Sequence, residues 1–212
     1  MNSFKKNDNF VFIHAHNKQT LHEIVSILKT SSVPVAVITD FVILNSKQTF
    51  TDLIKALTNS ELANSIEVRD ELEKIVLERP EGDIKRGVRI EIEEMLTNLE
   101  QSEISVVRCQ LKHLGKKLSY WEEAKTKGIK HFLSTTQKSI EKMLTECKEF
   151  GLFIVPNGEL ESWVPLGMKN KGKWIAKSLI SINTSCPKDL EVFMSEIVDF
   201  LRESNRSLEG QQ

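Results

Sequence analysis

Four side chains have the types and spacing for phosphodiester chemistry: Asp40, Glu159, Glu161 and Lys173. Each acid follows an apolar run. Asp40 closes Val33-Pro-Val-Ala-Val-Ile-Thr-Asp, and Glu159 and Glu161 follow the apolar residues 152–155 across Pro156-Asn157-Gly158. A buried parallel strand delivers a carboxylate to the carboxyl edge of a sheet in this way. Ligands and metals of open α/β sheets gather at that edge. If the two strands are neighbours, three carboxylates meet there and make the oxygen-rich environment that Mg²⁺ or Mn²⁺ prefers. Paired metals activate water and stabilise both oxygens of a cleaved phosphodiester. One lysine among Lys169, Lys171 and Lys173 would neutralise the scissile phosphate. Structural roles suit the same residues. Asp starts turns and caps helices, and Glu159 and Glu161 would be stabilised in the first turn of a helix by its dipole.

Other constellations say less. His14 and His16 share a face if residues 9–14 form a strand, and could then grip one metal, or else they are ordinary loop histidines. Trp163 and Trp174 could stack on a base or fix helices against a core. The chain has no G-x-S-x-G elbow, Walker lysine loop or Rossmann glycine fingerprint.

The elements that must position these groups alternate at first. Residues 9–14 read as a strand, Asn17 opens a helix carrying Leu21, Ile24, Val25 and Leu28, and residues 33–39 read as a second strand. Ser46 suits the N-cap of a helix with Phe50, Leu53, Ile54 and Leu57. The order β-α-β-α implies a parallel sheet with right-handed crossovers. Residues 60–127 then turn rich in Glu, Leu, Lys and Arg and read as a helical insertion, with Pro80-Glu81-Gly82 separating two of its helices. Residues 136–149 form an amphipathic helix ending at Gly151. Residues 152–155 are a short strand, and helices near 173–182 and 187–201 complete the chain. The expected organisation is an α/β core in two parts, 9–59 and 136–205, around an insertion over 60–135.

Composition sets the bounds. The chain has 212 residues, 29 Lys+Arg against 30 Asp+Glu, and a formal net charge of -1. Wholesale electrostatic binding of nucleic acid is not indicated, although this balance leaves room for a local basic face. Cys109, Cys147 and Cys186 are scattered, make no metal spacing and suit a reducing compartment. With a polar N-terminus, no apolar run of membrane-spanning length and no signal-peptide segment, the expected location is the cytoplasm, away from membranes.

Three segments together resemble the C-terminal Toprim region of the OLD-family (overcoming lysogenization defect) ATP-dependent endonucleases. Phe12-Ile-His-Ala-His-Asn-Lys-Gln-Thr-Leu-His22 is similar to the family's second Toprim strand and its glycine-lysine turn. Val33 to Asn45 is similar to the strand ending in Asp-x-Asp. Gly151-Leu-Phe-Ile-Val-Pro-Asn-Gly-Glu-Leu-Glu-Ser-Trp163, with Lys171-Gly-Lys-Trp174, is similar to the late strand, acidic motif and lysine. The resemblance implies a Toprim-like parallel sheet with flanking helices and a helical insertion. It makes Asp40, Glu159 and Glu161 metal ligands and Lys173 the catalytic lysine of a Mg²⁺- or Mn²⁺-dependent DNA endonuclease. Departures accompany the match. The family's first strand and its Glu lie before the start of this chain, Val42 stands where the second Asp belongs, His14-Ala15-His16 replaces turn glycines, and the ATPase half is absent. Losing two carboxylates implies weak metal binding. The expected function is DNA cleavage only with a separately encoded ATPase. The alternative is a catalytically inactive scaffold or partner-binding subunit.

Overall fold

Apolar residues at helical spacing shape most of this chain, and two three-residue strands divide its core. The computed structural model describes residues 9–15, 17–58, 62–78, 81–117, 121–167 and 170–209. The elements are α1 (Leu21–Thr30), β1 (Val37–Thr39), α2 (Lys47–Thr58), α3 (Ala63–Leu77), α4 (Glu81–Thr97), α5 (Ile104–Lys117), α6 (Glu122–Lys127), α7 (Ser134–Glu149), β2 (Leu152–Ile154), α8 (Lys171–Thr184) and α9 (Lys188–Glu209). Short 3₁₀ turns over Phe41–Asn45 and Leu160–Trp163 follow the two strands. No helix among the described residues is long and apolar enough to cross a membrane.

β1 and β2 run parallel, with Val37 opposite Leu152, Ile38 opposite Phe153 and Thr39 opposite Ile154. The expected pairing of 34–39 with 152–155 is therefore present in shortened form. Every residue of β2 is buried, because helices cover both faces of a parallel strand. The period of two along a strand splits the interior. Leu152 and Ile154 join one cluster with residues of α1, α2, α3 and α7, while Phe153 and Val155 join another with Trp163, Phe193 and Ile197. Each fully buried Phe or Leu here contributes roughly 1.5–3 kcal/mol. Ser46 takes its expected place before α2, where its Oγ accepts the Thr49 N–H at 3.3 Å.

The strand expected over residues 9–14 does not form. Residues 9–15 carry no regular structure, and Val11 is 85% and Phe12 75% exposed. Strand propensity reflects a fit to a pleated, half-buried surface more than a backbone preference. Little among the described residues covers Val11 and Phe12, so the alternating pattern alone does not make a strand. Asn17 does cap the next turn, where its side chain accepts the Gln19 N–H. His16, Lys169 and Pro80 lie outside the described residues.

The residues of the expected helical insertion over 60–135 pack in two ways. Leu72 and Val76 of α3 and Trp121, Ala124 and Phe132 beyond α5 belong to the larger cluster. Only α4 and α5 are peripheral: no described side chain of α4 is buried, and in α5 only Leu114 is.

Candidate site at the carboxyl edge of the sheet

Backbone pairing continues past both strands and brings their acidic ends together. Val155 donates its N–H to the Thr39 carbonyl at 2.9 Å, and Phe41 donates to the Gly158 carbonyl at 2.8 Å. Asp40 and Glu159 are the neighbours of Phe41 and Gly158, so two of the three anticipated acids share this edge. Asp40 begins the 3₁₀ turn over 41–45, and Glu159 begins the turn over 160–163.

Two glycines let a third element close over them. At Gly158 (φ 96°) a Cβ would fall 2.2 Å from the Lys125 carbonyl oxygen, and at Gly128 (φ 56°) one would fall 2.0 Å from the Pro156 carbonyl oxygen. Both positions combine the left-handed region with a backbone-to-backbone approach that excludes a side chain. Ile129 completes the clasp by donating its N–H to the Pro156 carbonyl at 2.9 Å.

The clasp sets Lys125 of α6 into the site. Its Nζ lies 2.8 Å from Glu159 Oε1. The pKa of Lys125 is raised, first by its hydrogen bond to Glu159 and then by the negative charges of Glu159, Glu122 and Asp40, against the opposing effect of partial burial. Lys125 was not legible in the sequence as a site residue. Glu122-Glu-Ala-Lys-Thr-Lys127 reads as a solvated helix face, and Lys127 does make an ordinary i,i+4 pair with Glu123 at 3.0 Å.

The turn carrying Asp40 is held from below by Arg69. This guanidinium is 1% exposed. It donates to the Leu44 carbonyl at 2.8 Å and the Asn45 carbonyl at 3.0 Å. Both of its terminal nitrogens also reach Glu73, at 2.6 and 3.1 Å. A signal existed in the sequence, since Arg69 occupies the same helical stripe as Leu72 and Val76. Lys18 adds a bond from Nζ to the Val42 carbonyl at 3.3 Å. Val42 thus contributes its backbone here, while its side chain offers no ligand.

The remaining anticipated residues are placed differently. Glu161 lies inside the 3₁₀ turn, where its carbonyl accepts the Val164 N–H at 3.2 Å. Lys173 sits exposed in the first turn of α8, with its backbone N–H capped by Asn170. Trp174 donates its indole N–H to the Val164 carbonyl at 2.9 Å. Trp163 is buried against Phe193, with ring centroids 5.0 Å apart. Both tryptophans therefore act as core anchors. His14 is exposed.

Among the described residues, no group of three or more His, Cys, Asp or Glu side chains is arranged to hold a metal ion. Asp40, Glu159 and Glu161 thus form no such group. As arranged, the residues do not fit Mg²⁺ or Mn²⁺. Such ions need several oxygen donors, whereas an ammonium, which has no lone pair to give, already occupies the Glu159 carboxylate. The edge is better described as a lysine–carboxylate pair, Lys125 with Glu159, beside a second carboxylate, Asp40. No family model, curated protein or solved structure matches the chain.

Proposed function

We propose that this chain is a catalytically silent, Toprim-like module that serves as a scaffold or partner-binding subunit. One observation carries the reading: Lys125 is paired with Glu159 beside Asp40, at the position where a nuclease of this architecture would need a divalent cation. The lysine supplies a positive charge from within the fold, paired to Glu159 and close enough to Asp40 to feel its charge. An ammonium neutralises carboxylates but cannot generate hydroxide from water, so the edge is stabilised without gaining a nucleophile. The cost of placing two acids together is offset inside the fold, and the surface is left for binding.

The rival reading, a Mg²⁺- or Mn²⁺-dependent endonuclease working with a separate ATPase, draws on the convergence of Asp40 and Glu159 at a sheet's carboxyl edge. In that reading a partner expels Lys125 and Lys173 contacts phosphate. Plasmid nicking in Mg²⁺ and in Mn²⁺, by the chain alone and with a candidate ATPase, separates the two. The silent-module reading expects intact supercoiled plasmid throughout. Cutting that is lost in Asp40→Ala or Lys173→Ala would overturn it in favour of the nuclease.

A further inference from the structure

α4 and α5, joined by residues 98–103, form a helical hairpin whose wide apolar stripe is only half used. Val88 and Met95 are partly buried and mark the side by which α4 faces its neighbour; Val107 and Leu114 do the same for α5. Beside them lie apolar residues left open: Ile92 and Leu96 (58% exposed) on α4, Ile104 (74%) and Leu111 (53%) on α5. At about 100° per residue, Ile92 and Leu96 are rotated by about 40–100° from Val88 and Met95 in one sense. Ile104 and Leu111 are rotated by about 40–80° from Val107 and Leu114 in that same sense. In an antiparallel pair, equal senses about each helix's own direction bring both flanks to one side. The hairpin therefore presents a two-helix apolar face.

The charges say what covers it. Residues 91–103 carry five acids, Glu91, Glu93, Glu94, Glu100 and Glu103, and no base. The rest of the hairpin, over 81–90 and 104–117, carries Lys85, Arg86, Arg89, Arg108, Lys112, Lys116 and Lys117 against two acids, Glu81 and Asp83, and is net positive. The tip is negative and the root positive.

We propose that this face docks on the same face of a second copy of the chain, tip to root, forming a four-helix bundle about a two-fold axis. In that arrangement α4 lies antiparallel to its symmetry mate, and each negative tip meets a positive root. A two-fold interface must be complementary to itself, and this charge distribution meets that condition. A parallel arrangement would set five acids against five acids. The open apolar residues span only about 10 Å along the helices and roughly two helix diameters across, which places the contact at or below the small end of specific interfaces. The dimer is accordingly concentration-dependent. The proposal stands apart from the reading of the sheet edge.

Sedimentation velocity and light scattering on the full chain test it between ~1 and ~100 µM, the range expected for a small interface. Dimer should form with rising concentration and recede at high salt. Leu96→Asp should leave a folded monomer, with unchanged circular dichroism. The decisive pair is Glu93→Lys with Glu100→Lys in one protein, and Lys85→Glu with Arg89→Glu in another. Each alone should be monomeric at concentrations where the wild type pairs, because two reversals cancel most of the net charge at one end of its hairpin. Mixed together, the two should recover a heterodimer. A wild-type monomer at the highest concentration would overturn the proposal. So would dimers that persist in either charge-reversed protein, or a mixture that stays monomeric. Binding of wild-type monomer to duplex DNA through the positive root would assign the face to nucleic acid instead.

Discussion

At the residue scale the site turns on Lys125, a side chain that no motif singles out. Its pair with Glu159 is about one-third exposed or less on each side, so its worth is near the upper end for surface pairs. We expect Lys125→Met to destabilise the chain by about 1 kcal/mol at neutral pH. The pKa of Lys125 is raised above its usual 10.5 in the folded state. Its contribution is therefore full below the unfolded value and is lost as pH rises through the folded one. Urea titrations at about pH 7 and about pH 11 should show the gap between wild type and Lys125→Met shrinking at the higher pH. A gap that grows with pH would show that the lysine is not charged in the fold. Cysteine behaviour gives an independent check. Burial pushes the Cys147 thiol up to about 12, while Cys109 is exposed. Since the thiolate is the reactive form, a disulfide reagent should modify Cys109 quickly and Cys147 only on unfolding.

At the scale of elements, the site depends on close approaches that replace side chains with backbone. Gly158→Ala should be costly, because it combines a positive φ, worth roughly 1–2 kcal/mol for an L-residue, with a forced shift of the Lys125 carbonyl, worth about 1–3 kcal/mol. The denaturant midpoint should fall accordingly, and α6 should lose hydrogen-exchange protection before the rest. Arg69→Met should cost about 3 kcal/mol, because the Leu44 and Asn45 carbonyls lose their donor in a buried setting. A loss below about 1 kcal/mol would mean that water replaces the guanidinium there. These elements also show what the sequence made legible. The cap at Ser46 and the amphipathic stripes of α2 and α7 are local patterns that appear as expected, while the runs at 33–39 and 152–155 yield strands only over 37–39 and 152–154. The closeness of Asp40 and Glu159 was readable because each acid follows an apolar strand, directly after β1 and across one turn after β2. Lys125 was not, since its place is fixed by Gly128 and Gly158, which sit far apart in sequence and look like ordinary turn residues. Arg69 lay between the two cases: its position on the core stripe was visible, but its carbonyl partners on another element were not.

At the scale of the whole molecule, a sheet of two short strands is covered on both faces by helices, and residues 9–15 stay outside it. The sequence pattern Phe10-Val-Phe-Ile-His14 favours a strand, but pairing and burial decide, and Val11, Phe12 and Ile13 are all more than half exposed. That placement has a measurable consequence. Replacing Val11, Phe12 and Ile13 together by Ser removes three large apolar side chains. Were they part of a buried strand, each would cost about 1.5–3 kcal/mol of lost burial, and the protein would lose most of a typical stability of 5–15 kcal/mol. As exposed residues they should shift stability by about 0.5 kcal/mol or less each, while reducing self-association of the unfolded chain. Thermal and urea denaturation of the triple variant decide between the two. A midpoint close to wild type confirms that the two-stranded sheet is complete as it stands. A collapse in stability would place residues 10–14 in the core, restore the three-stranded sheet expected from the sequence, and set His14 at the same carboxyl edge as Asp40 and Glu159.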